Sequence, residues 1–153
     1  MNMELIRRWN SRVFKDDFVV FLGDFAFKDS MASKEKLLEI VNQLNGHITF
    51  IRGNHDNNNS VDTRITSLVL EFDNKKIYCT HHPEDYSSSY PINLVGHVHQ
   101  NWKVKKIYRT YLVNVGVDVW RGYPVNINEI LKAIADYEKY RTDDVKAQNI
   151  VSW

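Results

Sequence analysis

The chain has one cysteine, three prolines and six glycines among 153 residues. A single thiol, Cys79, cannot close an internal disulfide, so stability has to come from a packed core, in which this residue reads as a small buried hydrophobe. So little glycine and proline excludes collagen-like and low-complexity architectures. No apolar run approaches the roughly 18 residues that a membrane helix needs, and no leader of charged, apolar and then small residues opens the chain. These absences predict a soluble protein of a reducing compartment, the cytoplasm, with no membrane partner. Charge of one sign is lacking as well: the formal net charge is +1, which leaves no broad electrostatic footprint for nucleic acid. Nucleic acid enters only as a substrate, and the run Lys103, Lys105, Lys106 and Arg109 reads as a solvated strand face.

What is present is globular. Hydrophobic residues make up 43% and charged residues 25%, which suits one domain over residues 1–153 burying roughly two thirds of its unfolded surface. Leu5, Ile6, Trp9 and Val13 recur at helical spacing in residues 4–13. Phe18 to Leu22 is a continuous apolar run, the pattern of a strand buried on both faces. Ser33 is placed to cap a helix running to Leu44, with Asn45-Gly46 as its stop, and His47 to Ile51 is the next strand. Strand, helix and strand form a βαβ crossover, so the two strands are expected to be parallel and to bring Asp24 and Asn54 to one sheet edge. Ser67 to Phe72 and Lys75 to Cys79 flank Asp73-Asn74, a hairpin signal. Residues 92–95, 104–108 and 111–117 continue as strands, with a turn near Arg109-Thr110. Asn126 and Glu129 are spaced as a capping box at the head of a helix, and the last dozen residues are expected to be loose.

Four of these strands end in metal-ligand residue types: Gly23-Asp24, Arg52-Gly53-Asn54-His55-Asp56, Thr80-His81 and Gly96-His97-Val98-His99. Open α/β sheets gather ligands at the carboxyl ends of their strands. Each motif alone is weak, since Asp24 fits an ordinary turn and His97 and His99 fit two same-face residues of a strand. Jointly they read as a cation cluster, and carboxylate, amide and imidazole donors without thiolate suit Mn, Fe or Zn.

In order and spacing the series resembles the calcineurin-like metallophosphoesterase family, with its Gly-Asp, Gly-Asn-His-Asp/Glu, lone His and Gly-His-x-His motifs. The stretches Asn114 to Trp120 and Tyr123 to Val125 are similar to its small bacterial and phage members. The resemblance implies an α/β/β/α sandwich of two mixed sheets flanked by helices. It implies hydrolysis of phosphomonoesters or phosphodiesters by a hydroxide activated on divalent ions, Mn or alternatively Fe or Zn. Asp24 would bridge two ions, Asn54, His81 and His97 would complete the second, and His99 would serve the first. His55 would sit over the substrate phosphate and protonate the leaving oxygen, with Asp56 as a candidate support. The pattern of a histidine two before Pro83 favours His81 as the ligand, leaving His82 to line the cleft or face solvent.

The family's first motif, Asp-x-His, is missing: no Asp in this chain stands two before a His, and no strand precedes Leu5. The expectation is therefore a fold lacking its first strand, truncated at the N-terminus, with one ion held rather than two. A rival of a different class is a binding or scaffold protein on the same fold, as in the retromer subunit that resembles this family. The presence of His55, for which a scaffold has no chemical need, opposes it.

Overall fold

The structure, a computed structural model, describes residues 3–25, 34–56 and 62–150, with side chains given for all but Lys34 and residues 142–150. The chain opens on helix α1 (Met3–Asn10). Its buried Ile6 and Trp9 join Val13 and Leu44 in a small core, packed against Val19, Phe21, Phe25, Ile40 and Ile48. Polar contacts fix the docking: the Trp9 indole N–H donates to the Asn45 carbonyl at 2.9 Å, and the Asn10 amide bonds both Gln43 and Asn45.

Strand β1 (Phe18–Phe21) and strand β2 (His47–Phe50) lie parallel, Phe18 opposite His47, with helix α2 (Lys34–Val41) as the crossover. This is the expected βαβ unit. Ser33, the proposed cap of α2, lies outside the described residues. The helix ends at Val41, three residues before the expected Leu44, and its tail tightens into turns in which the Gln43 and Leu44 amides reach back three residues. Two-faced burial of β1 holds from its second residue: Val19 and Phe21 face the small core, while Val20 and Leu22 join the larger one. Phe18 breaks the expectation. It is 89% exposed, because the strand starts at the rim of the layer, where its ring lies against that of His47.

The second sheet has five strands in the order β3-β4-β5-β7-β6, built from β3 (Ser67–Phe72), β4 (Lys75–Thr80), β5 (Ile92–Val95), β6 (Val104–Ile107) and β7 (Thr110–Asn114). β3 and β6 pair antiparallel at the two edges, and β4, β5 and β7 run parallel through the centre. The β3–β4 hairpin turns at Asp73 and Asn74, both at positive φ (48° and 58°), as the two-residue turn matching strand twist requires. The β6–β7 turn falls one residue earlier than expected, at Tyr108-Arg109, because Thr110 already pairs with Ile107. The larger core runs from Leu22 and Ile51 through Ile77, Cys79, Ile92, Leu94 and Val113 to Ile130. Burial at this position pushes the Cys79 thiol up to about 12.

Helix α3 (Ile127–Ile150) closes the chain. Its capping box is reciprocal, with the Glu129 amide donating to the Asn126 side chain at 2.9 Å and the Asn126 amide to the Glu129 carboxylate at 3.1 Å. The helix continues to Ile150, where the polar sequence had predicted loose chain. Lys106, Tyr111 and Glu138 form a hydrogen-bonded triangle that pins α3 to β6 and β7. Two sheets with flanking helices are the α/β architecture expected, and no described helix is long and apolar enough to cross a membrane.

Candidate metal centre

β1, β2, β4 and β5 all lead at their carboxyl ends into the residues singled out above. After β1 the backbone turns left-handed at Gly23 (φ 89°) and Asp24 (φ 55°). Only glycine fits at 23, where an added Cβ would lie 2.5 Å from His81 Nδ1 and 2.6 Å from Gly53 Cα. Gly53 is equally constrained, since a Cβ there would collide with the amide and carboxylate of Asp24. The two glycines let two strand ends and a histidine ring approach closer than side chains would permit.

The centre of the site is His81, 3% exposed. Its Nδ1 lies 2.6 Å from the Leu22 carbonyl, an acceptor only, so this nitrogen carries the proton. In the neutral ring Nε2 then holds a lone pair. That lone pair faces Asn54 Oδ1 at 2.9 Å and Asp24 Oδ2 at 3.2 Å. With the ring neutral these are three lone-pair carriers converging on one point, the arrangement a cation would hold together. Spacings of about 3 Å are those of neighbouring ligand atoms on a small divalent ion with bonds of about 2.1 Å. The backbone carbonyl behind Nδ1 is the support that fixes the tautomer and aim of a metal-binding histidine. The donor set therefore fits a divalent ion.

His97 stands beyond β5 in left-handed backbone (φ 63°), its ring 5.2 Å from that of His81 and 4.3 Å from that of His82. Donor atoms of His81, His82 and His97 all lie within 4.8 Å of one another. His82, given above only a place lining the cleft or facing solvent, is thus part of the cluster. Neither His97 nor His99 belongs to a strand. His99 (φ 45°) turns away from the three-histidine group, 68% exposed in its side chain, with Nδ1 3.1 Å from Asp118 Oδ2. Its loop is held by buried Asn114, which donates to the carbonyls of His99 (2.7 Å) and Trp102 (2.9 Å) and accepts from the Gly116 amide (2.9 Å). Asp118 and Asn114 were not singled out in the sequence, although both lie in the stretch whose likeness to the family was noted.

His55 is exposed, and its amide donates to Asp24 Oδ1 at 2.8 Å. Asp56 takes a role different from the expected support of the His55 ring. One of its oxygens accepts from the amides of Asp24 and Gly53, both at 2.8 Å, and the other from the Phe25 amide at 3.2 Å. Both oxygens are thus used to clamp the two strand ends together.

A model of the calcineurin-like phosphoesterase superfamily domain matches residues 1–126. The chain belongs to this superfamily. An uncharacterized protein of Methanocaldococcus jannaschii is 34% identical over 150 residues, covering 93% of this chain and 80% of that protein. The crystal structure of a protein of unknown function from Aquifex aeolicus shares the fold, with a TM-score of 0.60 at 21% identity over 86% of this chain and 83% of the other. At the level of the family, this superfamily member is a metal-dependent phosphoesterase domain, and its histidine cluster could hold a metal ion.

Proposed function

We propose that the chain is a hydrolase of phosphomonoesters or phosphodiesters, soluble and cytoplasmic, acting on a small phosphoester with nucleic acid only as a substrate. The observation that carries this reading is the convergence of His81 Nε2 on Asn54 Oδ1 at 2.9 Å and on Asp24 Oδ2 at 3.2 Å. Asp24, Asn54, His81 and His97 would hold one ion, with His82 beside them, and Asp24 and His99 would hold a second. Manganese is the first choice for this oxygen and imidazole set, with iron and zinc as alternatives. Divalent ions, when bound, make a coordinated water acidic and offset the charge of a phosphoryl group.

The remaining chemistry falls to the chain's own residues. His55, exposed at the rim of the site, stands over the substrate phosphate and gives a proton to the leaving oxygen. Asp56 acts through the backbone, keeping Asp24 and Asn54 at ligand spacing. The left-handed backbone of Asp24, His97 and His99 costs of order 1 kcal/mol each or more, a strain that accumulates at functional sites. The position served by Asp24 and His99 is the weaker one, because no Asp-x-His sequence exists in this chain to add ligands to it.

Metal analysis after loading with Mn, Fe or Zn, together with turnover of p-nitrophenyl phosphate and bis(p-nitrophenyl) phosphate, tests the proposal. Metal-dependent hydrolysis of either ester is the expected result. Bound metal with no turnover of either ester would leave a scaffold reading, and no bound metal at all would sink the assignment.

A further inference from the structure

Successive residues of an extended strand point their side chains to opposite faces. His81 and His82 escape that rule, because β4 ends at Thr80 and the chain bends through both of them into Pro83. A proline holds the residue before it extended, and His82 is so held, at φ −86° and ψ 134°, while its carbonyl accepts from the Asp85 amide at 3.1 Å. The two rings meet edge to face with centroids 4.7 Å apart. His97 joins them from beyond the end of β5, its ring 4.3 Å from that of His82.

His81 bonds the Leu22 carbonyl and faces Asn54 and Asp24, whereas the imidazole nitrogens of His82 and His97 make no hydrogen bond or ion pair among the described residues. Rings packed for their faces alone have no reason to gather their nitrogens. Here one donor atom of each ring lies within 4.8 Å of the other two. Bonds of about 2.1 Å place ligand atoms at most about 4.2 Å apart, so these donors stand close to the spacing that one ion needs. Metal choice follows from the donor count. Two imidazoles with the oxygens of Asp24 and Asn54 make a balanced set, for which manganese was the first choice. A third imidazole tips the set toward nitrogen, which suits zinc and iron, and manganese binds most weakly of the first-row divalent ions.

We propose that His82 is a ligand of the same ion as Asp24, Asn54, His81 and His97, and that this third imidazole moves the preference of the site from manganese toward zinc or iron. The assignment deepens the metal-centre reading above and rests on it, but it does not need the hydrolase activity.

The intact chain, stripped by a chelator, is titrated with zinc and with manganese, and the visible absorption of its cobalt(II) form is recorded. In His82→Phe a ring remains for His81 and His97 to pack against, but it carries no nitrogen; His82→Ala removes the ring as well. Both variants should change the cobalt spectrum and lose zinc affinity at least ~10-fold, the smallest loss seen when even a group supporting a ligand is removed. Manganese affinity should fall by a smaller factor, so the ratio of the two dissociation constants narrows. The metal-free His82→Phe protein should melt close to the parent. An unchanged cobalt spectrum with unchanged zinc affinity would overturn the assignment, and if turnover alone were lost His82 would be a substrate contact instead. Equal losses for zinc and manganese would overturn the metal preference. Metal binding that behaves as expected in a chain that hydrolyses neither p-nitrophenyl ester would keep His82 as a ligand and remove only the hydrolase reading, whereas a parent that binds no metal would lose both.

Discussion

Asp56 and His55 are neighbours with opposite duties, and each duty follows from where its polar atoms go. The Asp56 carboxylate collects three backbone amides from two strand ends. In Asp56→Ala those amides lose a charged acceptor inside a half-buried turn, so unfolding free energy should drop by about 2–4 kcal/mol. Urea denaturation reads this directly, and metal affinity should weaken with it because Asp24 is no longer held. His55 is exposed, and only its backbone amide touches Asp24 among the contacts described above. His55→Ala should therefore melt close to the parent and keep its metal, while turnover falls at least ~100-fold, the contribution of a positioned acid. Equal turnover would remove His55 from the mechanism. The residue types at these positions were legible in the sequence. The direction of the Asp56 side chain was not, because it depends on amides 31 and 32 positions away in the chain.

Helix α3 begins where three separate parts of the sequence meet. Asn126 and Glu129 cap each other, and Arg12 at the end of the first segment pairs with Glu129 at 2.9 Å and stands 4.7 Å from the Tyr123 ring centre. Asn126→Ala should cost about 1 kcal/mol, as loss of an N-cap does, measured by thermal or urea unfolding. Desolvation pushes the Glu129 carboxyl up, but the Asn126 amide and the Arg12 guanidinium outweigh it and hold it below the ordinary carboxylate value. The unfolded chain thus binds a proton before the folded one does as pH drops. Stability from this group is present above the ordinary carboxylate range and is lost as pH falls through its lowered value. Arg12→Ala should accordingly flatten the acid limb of Tm against pH between neutrality and about pH 3, and an unchanged limb would show that the pair contributes nothing. The capping box was visible from spacing alone. Its ion pair with a residue 117 positions earlier was not.

At the scale of the molecule, the two sheets are joined by one apolar core and by one metal-ready edge. An ion held by Asp24, Asn54 and His81 ties the end of the parallel pair to the end of β4, so binding should stabilise the whole fold. At an ion concentration of 100 times Kd the gain is about 2.7 kcal/mol, and for a chain of this size that should raise Tm by roughly 5–10 °C. Chelation should reverse the shift, and His81→Ala should abolish it. About one tightly bound ion per chain is expected, since the position served by Asp24 and His99 has few protein ligands; two tight ions with full turnover would show that groups such as Asp118 complete it. Apolar runs and periodicity were enough to determine the strands and helices, the parallel βαβ unit and the hairpin turn, because these depend on neighbours a few residues apart. The strand-end motifs were enough to determine the family and the types of donor. Tertiary structure alone decided that His82 joins the cluster, that His99 turns toward Asp118, and that Asp56 serves the backbone. Each of these is a meeting of groups far apart in sequence, fixed by which strand ends the packed core brings together.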